Sequence, residues 1–378
     1  MHGEFDFLLQ RFKRDDEECS FFELTDQCQT GYLSSGLQEL SAYFSNRMSY
    51  EEVEKLIQRM TGQQALSDQG IWQGVIAKAV SVSQQSADEA QKVLKASGNP
   101  SLIVNTQLNL YDPDESEILL FEDGIQVKRQ KETRNSPKQE ELAEDVGSDR
   151  KRVNSDVVLF QKANGGFEYL TTPIQKDGNP LLSLELIVKA KLIDEYGRGT
   201  PETPLNIVAI VDGARSIRCR LESLFGSSVS VILDWYHLSS KVRRLMGMIA
   251  ADKEQKRLHL REILPQLWCG QLSKAMDYLR TQVQARSPDT LQELLTYLEK
   301  HKSEIIDYRR RQKAGKTIGS GRVEKGVDVV VGHRQKNKGM SWSEKGSRAL
   351  AVLKVVELNG DWQQLWFPKT ETEKSIPG

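Results

Sequence analysis

The sequence predicts an α/β fold with a mixed sheet, interrupted by an all-α insertion and preceded by a helical N-terminal region. Three observations lead there. Residues 206–237 read as a βαβ unit, a strand and a hairpin precede it between residues 117 and 172, and from Leu238 to about Gln312 no strand signal occurs.

The βαβ unit comes first because it places chemistry. Ile207–Val211 is a short apolar, β-branched run that stops at Asp212-Gly213, and Val229–Leu233 is a second that stops at Asp234. Between them, Ala214–Phe225 sets Ile217, Leu221, Leu224 and Phe225 on one helical face and Arg215, Arg218, Arg220 and Glu222 largely on the other, with Gly226 at the C-cap position. Such crossovers are right-handed and join parallel strands, so Asp212 and Asp234 fall at the same sheet edge. That carboxyl edge is where open α/β sheets take their ligands. A turn at Asp212-Gly213 and a helix N-cap at Asp234 would also account for the two acids.

Composition narrows the class. A chain of 378 residues with 38% hydrophobic and 28% charged residues reads as globular and long enough for two to three domains. No apolar run approaches a membrane span, and the opening MHGEFDFLLQRFKRDDEE is not signal-like, so no membrane partner and a cytoplasmic location are expected. Cys19, Cys28, Cys219 and Cys269 form no CxxC pair, which predicts free thiols and no structural zinc. The net charge of -1 gives no overall pull towards nucleic acid, but Tyr308–Lys316 (YRRRQKAGK) and His333–Lys338 (HRQKNK) are dense basic runs.

In chain order, Ser49 can cap a helix over Tyr50–Met60, with Glu51 and Glu52 in its first turn and Val53, Leu56 and Ile57 as its stripe. Thr61-Gly62 ends it, and a second helix from about Gly70 carries Ile71, Trp72, Val75, Ile76 and Ala79. This is the outline of a helix-turn-helix, or of an ordinary helical hairpin. Residues 81–98 read as a further helix and linker. Ile118–Phe121 then reads as a strand that runs through Glu122-Asp123-Gly124 into Ile125–Lys128, with a bulge or turn at Asp-Gly as the alternative. Gln130–Lys151 is highly charged and apolar-poor, an exposed and disordered loop by composition. Asp156–Lys162 and Phe167–Thr172 flank an Asn-Gly turn signal, and Leu181–Tyr196 has helical periodicity ending at Gly197. After the βαβ unit, stripes such as Leu260, Ile263, Leu264, Leu267 and Leu291, Leu294, Leu295, Leu298 define the all-α block. IGSGRVE at 318–324 opens a glycine-rich helix start carrying Glu324, and residues 343–358 form one more apolar-striped helix.

This order of strands and helices resembles the ribonuclease H fold. Carboxylates converging on a sheet without a Cys or His cluster favour Mg²⁺ or Mn²⁺ over zinc. Two such ions can activate a water or a 3′-hydroxyl for phosphodiester displacement. Other chemistries lack their motifs: there is no GxSxG elbow, Arg310 stands where a P-loop needs glycine, and Gly319-Ser320-Gly321 lacks a dinucleotide fingerprint's third glycine.

VDGAR at 211–215, DWYHL at 234–238, IGSGRVEKG at 318–326, GMSWSEKGSRALAVL at 339–353 and LNGDWQQLW at 358–366 together resemble bacterial insertion-sequence transposases with a DDE site, the ISKra group above all. The resemblance covers roughly residues 45–366. It implies a DNA-binding N-terminal region (1–100), a ribonuclease H-like core in two parts (101–238 and 318–366) around the insertion (239–317), and a tail (367–378). It also implies Asp123, Asp212 and Glu324 as catalytic metal ligands for Mg²⁺ or Mn²⁺, with Asp234 and His237 as a supporting Asp-x-x-His pair. The substrate implied is double-stranded DNA with terminal inverted repeats, cut and joined by a homo-oligomer associated with the nucleoid. Arg309, Arg310, Arg311, Lys313, Lys316, Arg322, Arg334, Lys336 and Lys338 flank Glu324 in sequence and are expected to line a DNA channel. A structure-selective nuclease and a DNA-binding protein with a decayed catalytic domain are the competing functions.

Overall fold

The computed structural model describes residues 11–14, 17–20, 33–98, 101–131, 152–226, 228–336 and 339–368. A hairpin of β1 (Arg11–Arg14) and β2 (Glu17–Ser20), which the sequence reading did not anticipate in an all-helical N-terminal region, precedes three helices. These are α1 (Ser35–Ser45), α2 (Tyr50–Thr61) and α3 (Asp68–Ala96). Ser49 and Glu52 close a reciprocal capping box at the start of α2, and Gly62, at φ 76°, ends it in the left-handed conformation that glycine adopts without a Cβ penalty.

The second helix and the further helix expected after it are one. α3 runs 29 residues without a break because its inward stripe continues from Ile71, Val75, Ile76 and Ala79 through Ser83, Ala87 and Ala90 to Leu94, and no Gly or Pro interrupts residues 75–96. The helix-turn-helix outline therefore belongs to a hairpin whose second helix is built into the core, packed on α13 (Glu344–Leu358) and on α4 (Leu184–Tyr196).

Five strands form one mixed sheet: β3 (Ile118–Lys128), β4 (Arg152–Gln161), β5 (Phe167–Thr171), β6 (Ile207–Val211) and β7 (Ser230–Leu233), in the order β5-β4-β3-β6-β7. β3, β4 and β5 pair antiparallel, and β3, β6 and β7 run parallel. β3 passes straight through Asp123-Gly124, which pair with Val157 and Asp156, so the Asp-Gly step is neither turn nor bulge. Most of the charged loop expected over Gln130–Lys151 lies outside the described residues, as does Cys28, while Cys219 and Cys269 are free.

β6 is buried at all five positions, as expected of a central parallel strand. Its alternation divides two cores. Ile207, Ala209 and Val211 join Ile187, Val188 and Leu192 of α4 and Ile217, Leu221 and Phe225 of α5 (Arg215–Phe225). Val208 and Ile210 join a larger cluster that also holds Leu350 and Leu353 of α13 and Leu238, Val242 and Leu245 of α6 (Trp235–Ile249). The expected all-α insertion continues from α6 as α7 (Lys253–Trp268), α8 (Leu272–Gln282), α9 (Pro288–Lys300) and the short α10 (Tyr308–Lys313). Its stripe residues Ile263, Leu267, Leu294 and Leu298 belong to that same cluster, so the insertion extends the core rather than forming its own. The chain returns to the sheet through α11 (Gly321–Val327), which packs on β3 and β4 and runs on through a π-helical turn, Asp328–Gly332, into α12 (His333–Gln335). α13 and the short α14 (Trp362–Trp366) complete it. No helix among the described residues is long and apolar enough to cross a membrane.

Candidate metal centre at the sheet edge

The register of the parallel strands puts the acids side by side. Glu122 pairs with Val211, and Val211 with Leu233, so the next residues, Asp123, Asp212 and Asp234, stand in one row across β3, β6 and β7. Alternation turns buried Glu122 away from this row, where Arg220 of α5 binds it together with Asp156 and Glu185. One residue on, Asp123 lies on the opposite face, the one α11 covers.

Asp234 is fully buried and saturated with donors. Its Oδ1 accepts the backbone N–H groups of Tyr236 (2.5 Å) and His237 (3.0 Å), and its Oδ2 accepts the Ser320 hydroxyl (2.5 Å) and backbone N–H. Burial is the largest single influence and on its own would raise the carboxyl, but the His237 side chain, the Ser320 hydroxyl and the Ser320 and His237 N–H groups together hold it down at about 2. Asp234 is thus at once the cap of α6 and a clasp on the IGSG loop, which is further tied by Trp235 N–H to the Ile318 carbonyl (3.2 Å). With no lone pair left over, it is closed to a cation.

The tightest group of possible ligand atoms is nevertheless Asp234, His237 and Glu324, all within 4.8 Å of one another. The expected ligand set was Asp123, Asp212 and Glu324; of these only Glu324 belongs to this group, and Asp234, expected only as a supporting residue, stands in it instead. His237 Nδ1 lies 3.3 Å from Glu324 Oε1 and 3.7 Å from Asp234 Oδ2. At that distance Asp234 acts on the imidazole as a charge rather than as a hydrogen-bond acceptor. It is the largest influence raising His237 to about 9; burial opposes, and Glu324 and Asp212 add to the rise.

Asp123 and Asp212 share this environment. Burial is the main cause raising the Asp123 carboxyl; the Gly124 N–H opposes it, the Asp212 charge adds, His237 lowers and Glu324 raises. Each triad carboxylate uses one oxygen and leaves the other without a hydrogen bond among the described residues. Asp123 Oδ1 accepts from Gly124 N–H (2.7 Å), Asp212 Oδ1 from Ala214 N–H (2.7 Å), and Glu324 Oε1 from the Ser320 hydroxyl (3.3 Å). Carboxylate oxygens are the hard type of donor that Mg²⁺ or Mn²⁺ takes, but of these three acids only Glu324 belongs to the group within 4.8 Å.

The insertion supports the site from behind. Gly213, at φ 88°, has no room for a side chain, since a Cβ there would stand 2.7 Å from Cε1 of His301 and 3.0 Å from a methyl of Leu233. Buried His301 bonds Glu304 (2.6 Å), and Arg218 of α5 reaches both. Glu304 in turn accepts the Leu233 N–H through its backbone carbonyl. No sequence motif marked His301 and Glu304; Ser320 and Tyr236 lay inside the quoted IGSG and DWYH runs but carried no signal of their own.

The basic residues divide. Arg309, Arg310, Lys313, Arg322 and Lys336 are exposed, Arg310 stacking over Tyr111 (4.7 Å) and Arg322 over Phe167 (4.9 Å). Three others point inward, contrary to the channel expectation. Arg311 and Lys316 are consumed by the buried carboxylate of Glu117, and Arg334 bonds the Ser45 carbonyl (2.8 Å) over the Trp342 ring (4.7 Å). Lys338 lies outside the described residues.

A pH dependence follows from His237. Its folded value lies above its ordinary one, so the associated stability is fully present below about pH 6.5 and is lost as pH rises towards 9. In metal-free buffer the wild type should therefore lose denaturant midpoint over that window relative to His237→Gln. Parallel curves for the two would show that the imidazole is not held charged by the site.

No curated protein and no solved structure matches the chain. Residues 188–369 match the model of an uncharacterised protein family, UPF0236, a segment that holds Asp212, Asp234, His237 and Glu324 but not Asp123.

Proposed function

We propose that the chain is a DNA transposase of the DDE type, a phosphodiester cleaving and joining enzyme on a ribonuclease H-like core. The observation that supports this reading is the row of Asp123, Asp212 and Asp234 across β3, β6 and β7 of a sheet ordered β5-β4-β3-β6-β7, with Glu324 of α11 near enough to act on the Asp123 charge. Three antiparallel strands followed by two parallel ones reached through helices is the order expected of that core. Asp123, Asp212 and Glu324 would hold Mg²⁺ or Mn²⁺, which supplies Lewis-acid activation of the attacking and leaving oxygens when bound. The protein's own part is placement: Asp234 fixes the IGSG loop so that Glu324 faces the row, His237 offsets the acids' mutual repulsion, and exposed Arg322 and Lys336 offer charge to a phosphate backbone.

The test is a strand-transfer assay on DNA bearing the terminal inverted repeats that flank the gene. Cutting and joining that require Mg²⁺ or Mn²⁺ and stop with chelator are expected. A structure-selective nuclease would cut without joining, and a DNA-binding protein with a decayed catalytic domain would do neither; either result rejects the transposase reading.

A further inference from the structure

The Tyr236 ring is one of few large apolar groups left open among the described residues, 59% exposed although it stands between buried Asp234 and the site's own His237. The loop below it is shaped to carry it. Gly319 is not in the left-handed region, so its backbone conformation does not call for glycine. Space does: a Cβ on Gly319 would stand 2.5 and 2.6 Å from Cδ2 and Cε2 of Tyr236. The ring thus rests directly on the IGSG backbone. The backbone under it is itself held, because Asp234 clasps Ser320 on one side and Trp235 N–H holds Ile318 on the other. A side chain seated on a fixed surface with most of its area in solvent has lost its rotamer freedom in advance, which is the condition for low-cost stacking. Tyr236 stands next in the chain to His237, whose Nδ1 lies 3.3 Å from Glu324.

The geometry points to Tyr236 as a stacking platform for a nucleobase unpaired next to the reacting phosphodiester. This rests on the proposed function and names the form of its substrate, a duplex whose terminal base has left the stack. Bases of any identity offer a π-face, so such a platform favours unpaired over paired ends without reading sequence.

The experiment compares, in chelator so that no cleavage intervenes, the affinity of the full chain for two fluorescent probes. One is a blunt duplex carrying the flanking repeat; the other is the same duplex with its terminal bases mismatched. Wild type is expected to prefer the unpaired end by about tenfold, Tyr236→Ala to lose that preference, and Tyr236→Phe and Tyr236→Trp to keep it. Gly319→Ala, which pushes the ring off its seat, should reduce the preference with Tyr236 still present. Thermal melting of each variant accompanies the titrations, and the exposed Tyr236→Ala is expected to melt with wild type. A wild type that binds both probes but does not distinguish them, or a Tyr236→Ala protein that still prefers the unpaired end, overturns the platform and leaves the transposase reading standing. A wild type that binds neither probe removes both.

Discussion

Glu324→Gln is expected to leave a folded, DNA-binding protein that no longer cleaves or joins strands with Mg²⁺ or Mn²⁺. Gln keeps the size and most of the hydrogen bonding but not the charge a hard cation needs. Loss of a residue that merely orients a metal ligand costs about 10- to 100-fold, so loss of a ligand should exceed that range. The folding cost is small for a reason visible in the structure. The Glu324 side chain is 43% exposed, and its contacts are the 3.3 Å bond from Ser320 and the 3.3 Å approach of His237, so about 1 kcal/mol or less is at stake. Mn²⁺ titration calorimetry and the strand-transfer assay together decide: weaker metal binding with activity lost is the expected pair. Wild-type cleavage by a folded Glu324→Gln protein would remove Glu324 from the chemistry.

The same residue shows how far the sequence could be read. Asp212 and Glu324 were legible because each ends or opens an element with its own signal, a β-branched run stopping at Asp-Gly and a glycine-rich helix start. Asp123 was legible only as a strand acid; what places it is the register of β3 against β6, a pairing between segments 89 residues apart in sequence (212 minus 123) that no local pattern encodes. Asp234 was read as either cap or supporting residue, and the structure shows the cap of α6. Its second oxygen finds Ser320, a partner 86 positions away.

Helix content was read well, but its continuity was not. The stripe of α3 does not weaken between Ala79 and Ser83, yet the small residues that carry it there, Ser83, Ala87 and Ala90, give little apolar signal and pack only because α4 and α13 come close. The hairpin β1–β2 lies in a stretch too charged to announce strands. The basic runs failed most instructively. Charge density along a sequence does not say which side chains find a buried acid, and Glu117, the residue that turns two of them inward, sits about 200 positions upstream as an unremarkable strand-flanking carboxylate.

Arg311→Met should therefore act on stability and not on DNA. Arg311 is completely buried, and each of its three nitrogens is bonded: Nε to the Thr317 carbonyl (2.7 Å), Nη1 to the Leu110 carbonyl (2.9 Å) and Glu117 (2.9 Å), Nη2 to Glu117 (2.6 Å). Through them it joins the insertion's last helix to the entry of β3 and to the segment that leads into the IGSG loop. Met fills much of the volume but leaves two carbonyls without donors and Glu117, 7% exposed, with Lys316 as its one remaining cation. Breaking a buried pair from one side costs about 3–5 kcal/mol. Lys316 keeps Glu117 from being wholly uncompensated, which sets the expectation at the lower end of that range. Adding Glu117→Gln to Arg311→Met removes the stranded charge and should recover part of the loss, a coupling that denaturant titration of the four proteins in the cycle measures. The salt dependence of DNA binding by the folded fraction should match wild type, whereas neutralising exposed Arg322 and Lys336 should flatten it. If Arg311→Met instead kept the wild-type midpoint and flattened the salt dependence, the guanidinium would have to reach phosphate in solution, and its burial against Glu117 would be refuted.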